Sequence, residues 1–177
     1  TLEMDREKLA NAITDKTKVI IPVDIGGIMC DYDSIYEIVE VKKSLFTPKN
    51  DIQKAFGRII VMADGAHSLG AVRNGVKSGS RADFTNFSFH AVKNLTTAEG
   101  GAAVWRHIDG IDDEEIFSLF KAVEIGVVDG IAVFIRDDAV LRLIHVERKH
   151  VARKNMLQKG DLLRALHVDT AHVGNVE

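Results

Sequence analysis

Three polar residues, Asp64, Ser88 and Lys93, follow two short apolar segments that are typical of buried strands. Asp64 comes directly after the run at 58–63, and Ser88 and Lys93 lie at and just beyond the end of an alternating segment at 83–89. Parallel sheets bind ligands at the carboxyl ends of their strands. We therefore predict that these side chains meet in one crevice.

A lysine and an aspartate in one crevice suit a cofactor that carries an aldehyde on a pyridine ring. A partly desolvated lysine has an accessible neutral amine that attacks an aldehyde. An aspartate that faces a pyridine nitrogen keeps this nitrogen protonated, so that the ring withdraws electrons. A simpler interpretation also fits the spacing, because Asp64 could cap a helix and Lys93 could be a solvated surface residue. The spacing alone leaves both interpretations open.

The elements that would position these residues alternate between helical and strand-like patterns. Apolar residues at helical spacing after capping aspartates predict helices, and short runs of β-branched residues predict strands. Such alternation favours an α/β fold with a mostly parallel sheet flanked by helices. The predicted helices cover 5–13, 32–43 and 51–56, with another beginning at 112, the predicted strands cover 18–23, 58–63, 83–89 and 101–105, and Arg73-Asn-Gly75 is a turn signal.

The composition is that of an ordinary soluble domain. The 177 residues are 46% hydrophobic and carry a formal net charge of -3, and no apolar run approaches the ~18 residues that span a bilayer. The single cysteine, Cys30, excludes an internal disulfide, and we expect it to be a buried small hydrophobe. We therefore expect a cytoplasmic protein that binds neither a membrane nor nucleic acid.

Two longer motifs surround the polar residues. Residues 64–70 read D-x-A-H-x-x-G, and residues 88–101 read S-F-H-x-x-K-N-x-T-x-x-E-G-G. In order, spacing and residue type, these motifs closely resemble the central segment of the DegT-type sugar aminotransferases (the DegT/DnrJ/StrS family). The resemblance covers roughly residues 1–119, so it is to a partial chain. It implies a fragment of the fold-type I large domain, which is similar to that of aspartate aminotransferase.

The resemblance implies a site for pyridoxal 5'-phosphate. Lys93 would form the internal Schiff base with the cofactor, and Asp64 would pair with the pyridinium nitrogen. Ser88 matches the family's phosphate-contacting serine, and His67 matches a position against the ring, beside its phenolic oxygen. For Ser88 the alternative is a strand-end hydroxyl satisfied by backbone, and for His67 it is a histidine hydrogen-bonded in the core.

The remaining polar residues of the second motif have structural interpretations, except that His90 also has a functional one. His90 would lie near the substrate or cap the loop before Lys93. The two glycines at the end of the motif permit close backbone approach where side chains would clash. The residues that we expect to shape the turn are Asn94, Thr96, Thr97 and Glu99.

The activity that the resemblance implies is transamination in two halves. An amino donor, glutamate, leaves its amine on the cofactor, and a keto-sugar nucleotide collects it. A related branch of the family dehydrates or deaminates sugars with the same cofactor, and the visible residues do not separate these outcomes. The family's active site is completed across a dimer interface, which implies a homodimer. The alternative is a catalytically silent, truncated α/β module that acts as an interaction or scaffold piece.

Two segments of the chain differ in pattern. We interpret residues 1–119 as the central part of the cofactor-binding large domain and residues 120–177 as a divergent C-terminal segment. Runs at 130–135 and 139–146 favour a hairpin there, and residues 155–166 favour a closing helix. The histidines of this segment lack the compact spacing of metal ligands, so we predict no metal site: they are His145, His150, His167 and His172.

Overall fold

The protein folds around one central sheet flanked by helices. The structure, a computed structural model, describes residues 2–97, 100–123, 131–137 and 140–145, and the side chains of 2–97 and 100–120. The helices are α1 (Arg6–Ala12), α2 (Tyr32–Val41), α3 (Asp51–Phe56) and α4 (Asp113–Val123). The strands are β1 (Val19–Ile20), β2 (Ile60–Asp64), β3 (Val72–Arg73), β4 (Val76–Lys77), β5 (Phe84–Ser88), β6 (Gly101–Trp105), β7 (Ile131–Asp137) and β8 (Val140–His145).

The central sheet has six strands in the order β1-β2-β5-β6-β7-β8. The pairings β1–β2, β2–β5 and β6–β7 are parallel, whereas β5–β6 and β7–β8 are antiparallel. Strands β3 and β4 form a separate hairpin. Its turn is the predicted one, with Asn74 and Gly75 both at positive φ (51° and 77°). The predicted α/β fold with a mostly parallel sheet is confirmed.

The predicted strand at 18–23 is only partly formed. Regular pairing with β2 is limited to Val19–Ile20, because Pro22 has no N–H to donate to the ladder. Beyond the proline, the chain returns to β2 through an isolated bridge between Val23 and Asp64. The Asp64 N–H donates to the Pro22 carbonyl at 2.8 Å, and the Asp24 N–H donates to the Asp64 carbonyl at 3.0 Å. The end of β2 is therefore fixed by the loop after β1.

Three of the helices begin at side-chain caps. The side chains of Asp5, Asp31 and Asn50 accept hydrogen bonds from backbone N–H groups in the first turns of α1, α2 and α3. Helix α3 ends at Gly57, whose φ of 60° is the left-handed conformation that terminates helices. These local signals explain why the predicted helix starts agree closely with the observed ones.

The core lies on both faces of the sheet. One cluster contains Ile35 and Val39 of α2 and Val61 of β2. The opposite cluster contains Met62 and Phe84 on neighbouring strands, and residues of β6 and α4 pack against them. Burying one such apolar side chain contributes about 1.5–3 kcal/mol. The sheet is therefore held from both sides, as its near-continuous apolar strands predict.

An ion pair fixes the amino ends of β2 and β5. The Arg58 guanidinium donates to both carboxylate oxygens of Asp83, at 2.8 and 2.7 Å, and Asp83 also accepts from the Val61 N–H at 2.8 Å. Arg58 lies over the ring of Tyr36, 5.0 Å from its centroid. Asp83 is buried, and its hydrogen bonds with Arg58 raise the pKa of the guanidinium. All of these contacts lie at the end of the strands opposite Asp64.

The chain leaves β5 and returns as β6 at the same end of the sheet. The Phe89 N–H donates to the Gly100 carbonyl at 2.8 Å, and the Thr97 N–H donates to the Phe89 carbonyl at 3.0 Å. The loop between the two strands contains Lys93. Within the part of the chain that the structure describes, no helix is both long enough and apolar enough to cross a membrane.

The sheet also continues past residue 119. Strands β7 and β8 pair antiparallel, with Asp137 opposite Val140, and β7 extends the sheet beside β6. Helix α4 runs through position 119. The division into 1–119 and 120–177 stays a prediction. The predicted helix at 155–166 and the side chains of the four tail histidines lie outside the described residues.

Candidate active site

The carboxyl ends of β2 and β5 carry the predicted site residues side by side. The parallel register pairs Asp64 with Asn86, and paired residues of neighbouring strands point to the same face. Ser88 lies two residues beyond Asn86, so its side chain projects from that face as well. All three residues are half-buried. The apolar face that holds Met62 thus becomes polar and accessible at its carboxyl end.

The Asp64 carboxylate has hydrogen-bonding capacity that the described residues do not fill. One of its oxygens accepts from the Ala66 N–H at 3.1 Å, and no ion pair involves Asp64 among the described residues. Residues 66–70 form turns rather than a helix, so the interpretation of Asp64 as a helix cap is wrong. Its backbone is held on both sides by the bridge to Val23 and by the pairing with Asn86. A fixed backbone with an accessible carboxylate suits recognition of a cationic group.

Lys93 lies in the turn that follows β5. Its N–H donates to the His90 carbonyl at 2.9 Å, and its amine has no hydrogen bond or ion pair with any described residue. The side chain is half-buried, whereas Lys77 on β4 is exposed. The Asn94 side chain donates to the Leu69 carbonyl at 2.7 Å, which ties this turn to the loop after Asp64. The loop that follows Asp64 and the turn that bears Lys93 are therefore neighbours.

His67 and Ser88 have backbone partners. The exposed His67 ring accepts a hydrogen bond at Nδ1 from the Gly26 N–H, at 3.3 Å, so it is not a core histidine. The Ser88 hydroxyl accepts from the His90 N–H at 3.4 Å, a long contact that leaves its own proton available. His90 itself is exposed and has at least one polar, aromatic or electrostatic contact. Among the turn-shaping residues, Asn94 has the predicted structural contact, and Glu99 lies outside the described residues.

A buried carboxylate, Asp24, lies beside this site and was not predicted from the sequence. Asp24 is 1% exposed; one of its oxygens accepts from the Cys30 N–H and the Tyr32 hydroxyl, at 2.9 and 2.8 Å, and the other accepts from the Ser68 hydroxyl at 2.8 Å. The D-I-G-G sequence indicates only a flexible turn. The partner Ser68 is 44 positions away, so no local pattern identifies this contact.

The single cysteine, Cys30, is one of the residues packed around Asp24. Burial, with the negative charge of Asp24, raises the pKa of the Cys30 thiol to about 11. The thiol donates to the Val23 carbonyl at 3.3 Å. Burial and the hydrogen bond to Asp24 likewise raise the pKa of the Tyr32 phenol. The prediction of a buried cysteine is confirmed.

The groups at the two strand ends fit a phosphorylated pyridine aldehyde. Asp64 offers an accessible carboxylate for a protonated ring nitrogen, Lys93 offers an amine that has no hydrogen bond or ion pair with the described residues, and Ser88 offers a hydroxyl proton for the phosphate. The described residues contain no cluster of three metal-ligating side chains. The chemistry of these groups therefore agrees with the cofactor that the motifs imply.

Comparison with known proteins gives a consistent result. The sequence profile of the DegT/DnrJ/EryC1/StrS aminotransferase family matches residues 1–109. The chain is 34% identical to the spore coat polysaccharide biosynthesis protein SpsC of Bacillus subtilis over 71% of its length, and 37% identical to GDP-perosamine synthase of Caulobacter vibrioides over 57%. It spans 27% of SpsC and 23% of the synthase.

A solved structure supports the same assignment. Spr1654 of Streptococcus pneumoniae, assigned as a sugar aminotransferase, is 54% identical over 71% of this chain and 31% of its own, with a TM-score of 0.68. It has also been solved in its PLP and PMP forms, and aminotransferases of the family use pyridoxal 5'-phosphate. The predicted fold-type I architecture is confirmed. By profile, sequence identity and fold, this chain belongs to the DegT/DnrJ/EryC1/StrS aminotransferase family.

Proposed function

We propose that this chain is the cofactor-binding segment of a pyridoxal-phosphate-dependent aminotransferase that moves an amino group from glutamate to a keto-sugar nucleotide. The observation that carries the proposal is the adjacency of two strand ends. Asp64 lies opposite Asn86 in the parallel register, and the loop that bears Lys93 is hydrogen-bonded to the loop after Asp64. This adjacency supports a site in which the carboxylate and the amine would reach opposite ends of one flat ring.

Each residue has a separate task in this proposal. The bound cofactor supplies an electron sink that stabilises the carbanion left by proton loss from the substrate. The Asp64 carboxylate would hold a proton on the ring nitrogen, the Ser88 hydroxyl would donate to the phosphate, and His67 would lie beside the phenolic oxygen. Lys93 would hold the aldehyde end of the cofactor through Nζ, and its free amine would accept and return a proton at that atom.

The substrate class is supported by the relatives. SpsC is named for polysaccharide biosynthesis, the Caulobacter synthase for a GDP-linked sugar, and Spr1654 is assigned as a sugar aminotransferase. The glutamate donor comes from the family resemblance alone. The dehydrating branch of the family is the competing outcome, and it is distinguished by whether the product retains the donor's nitrogen.

We further propose that the enzyme is a cytoplasmic homodimer. Two apolar side chains flank Lys93 at the surface: Val92 is 82% exposed and Leu95 is 50% exposed. Apolar residues beside a reactive group suit burial against a second subunit. Sedimentation of the V92S/L95S variant, compared with the unchanged chain, tests this arrangement. A monomeric unchanged chain contradicts the dimer.

The central experiment locates the cofactor on the chain. The protein is mixed with pyridoxal phosphate, the absorbance band of the lysine adduct is followed, borohydride fixes the adduct, and peptide mass spectrometry identifies the lysine. We expect label on Lys93, loss of label in Lys93→Ala, and full labelling in the matched control Lys77→Ala. Label on another lysine, or none, contradicts the proposal; no label favours the catalytically silent module.

A further inference from the structure

The contact between His67 and the loop after β1 defines where the histidine carries its proton. The Gly26 N–H points at Nδ1 of the ring. A nitrogen that accepts a hydrogen bond carries no proton of its own, so a neutral His67 has its proton on Nε2. His67, which is exposed, then has Nε2–H available as a donor.

The buried carboxylate of Asp24 joins the two segments that form this contact. One of its oxygens binds the Cys30 N–H and so closes the loop that contains Gly26. The other oxygen binds the hydroxyl of Ser68, the residue that follows His67. Ser68 in turn contacts the Ser78 hydroxyl at 2.7 Å. A single side chain thus holds the donor and the acceptor of the Gly26–His67 hydrogen bond in register.

The backbone of the loop leaves little room for another arrangement. Gly26 and Gly27 have φ of 61° and 83°, which L side chains rarely adopt. A Cβ on Gly27 would lie 3.1 Å from the carbonyl oxygen of His67. The loop and the histidine are therefore in close backbone contact, in addition to the hydrogen bond at the ring.

We propose that Asp24 is a positioning residue that acts through Ser68 and Gly26 to keep His67 in the Nε2–H form. The part of this inference that concerns the cofactor, a donor directed at its phenolic oxygen, rests on the proposed function. The tautomer and the hydrogen bond involve residues of this chain alone and require no cofactor. They can therefore be measured in the chain without cofactor.

The test is nitrogen NMR of the histidine rings together with hydrogen exchange of the Gly26 amide, on the full chain without cofactor. In the unchanged chain we expect His67 to be protonated at Nε2, with an Nδ1 resonance at the position of a nitrogen that accepts a hydrogen bond. The Gly26 amide should be protected from hydrogen exchange. Ser68→Ala removes one end of the bridge, so Gly26 should exchange roughly fivefold faster or more, the change expected for loss of one ordinary hydrogen bond. Asp24→Asn should act in the same direction.

Ser78→Ala is the matched control, because it removes a hydroxyl that contacts Ser68 and leaves the Ser68–Asp24 bond in place. It should keep the His67 signals and the Gly26 protection of the unchanged chain. Nδ1 protonation in the unchanged chain, or equal effects of Ser68→Ala and Ser78→Ala, overturns the inference. Failure of Lys93 to take up cofactor would overturn the proposed function but leave these results as they are.

Discussion

Each end of the strand pair β2 and β5 has an acidic and a basic residue nearby, but the charges are paired at the amino ends and unpaired with described residues at the carboxyl ends. At the amino ends, the Asp83 carboxylate binds both nitrogens of Arg58 and the Val61 N–H. At the carboxyl ends, the Asp64 carboxylate accepts from one backbone N–H, and the Lys93 amine has no hydrogen bond or ion pair with the described residues. The same pair of strands thus has one end whose charged groups are fully paired and one end whose charged groups are available.

Burial accounts for the difference. Asp83 is 3% exposed, and a carboxylate in such surroundings requires a compensating charge and hydrogen bonds. Asp64 and Lys93 are half-buried, so water can solvate them until a ligand arrives. We infer that contacts at the amino ends stabilise the pairing of the strands, whereas residues at the carboxyl ends bind the cofactor and take part in the proposed reaction. Four substitutions test this division.

The largest expected effect on stability is at the amino ends. Asp83→Ala leaves the Arg58 guanidinium half-buried without its carboxylate, and removing one partner of such a pair costs about 3–5 kcal/mol. Urea unfolding measures the loss. The matched double variant R58M/D83L removes both charges and should cost clearly less. A loss below about 1 kcal/mol for Asp83→Ala would contradict the structural role of this ion pair.

At the carboxyl ends, the largest expected effect is on rate. In the proposed function Asp64 keeps the ring nitrogen protonated, so Asp64→Ala should slow the proposed half-reaction with glutamate by roughly 10²–10³-fold. Attachment of cofactor to Lys93 should fall much less, and the free energy of unfolding should change by about 1 kcal/mol or less. Single-turnover absorbance measurements give both rates. Equal loss of attachment and half-reaction argues against the electron-sink role.

Gly65 marks a point where the carboxyl ends are also tightly packed. A Cβ there would lie 2.8 Å from Cγ2 of Thr85 and 3.1 Å from Cε1 of Phe87. Gly65→Ala should therefore destabilise the protein by about 1–3 kcal/mol through overpacking. Gly70→Ala is the comparison, since a Cβ at Gly70 meets nothing within 4 Å and only its φ of 84° opposes the change. A smaller loss in thermal stability for Gly65→Ala than for Gly70→Ala would show that packing does not limit this position.

The smallest expected effect concerns the contact between the two loops. Asn94→Asp keeps the size of the side chain but removes the N–H that donates to the Leu69 carbonyl. We expect a loss of about 1 kcal/mol in unfolding free energy and severalfold slower attachment of cofactor to Lys93. Stopped-flow absorbance measures the attachment rate. An unchanged rate would mean that the amine is positioned without this tether.

The sequence was most informative about features that depend on residues close to one another in the chain. Asp64 ends an apolar run and Lys93 follows another, so a parallel register between the two runs was enough to place their ends together. Helix starts were predictable for the same reason, because each depends on a capping residue directly before the first turn. The shortened β1 also has a local cause, the missing N–H of Pro22, although the strand-like apolar pattern around it concealed the break.

Contacts across the sheet were not predictable in this way. Asp83 meets Arg58 across 25 positions, and Asp24 meets Ser68 across 44 positions. Which carboxylate is buried depends on the register of β1, β2 and β5 together, and nothing in the residues next to Asp24 distinguishes it from an exposed turn aspartate. Buried polar networks of this kind are defined by tertiary structure alone.

The antiparallel return from β5 to β6 determines how Lys93 can move. A parallel neighbour would require a crossover to the far end of the sheet, usually through a helix, whereas here the chain comes back within a short closed loop. Hydrogen bonds from Phe89 to Gly100 and from Thr97 to Phe89 tie the base of this loop. We therefore propose that exchange of one amine for another at Lys93 proceeds by rotation of its side chain, while the strands keep their positions.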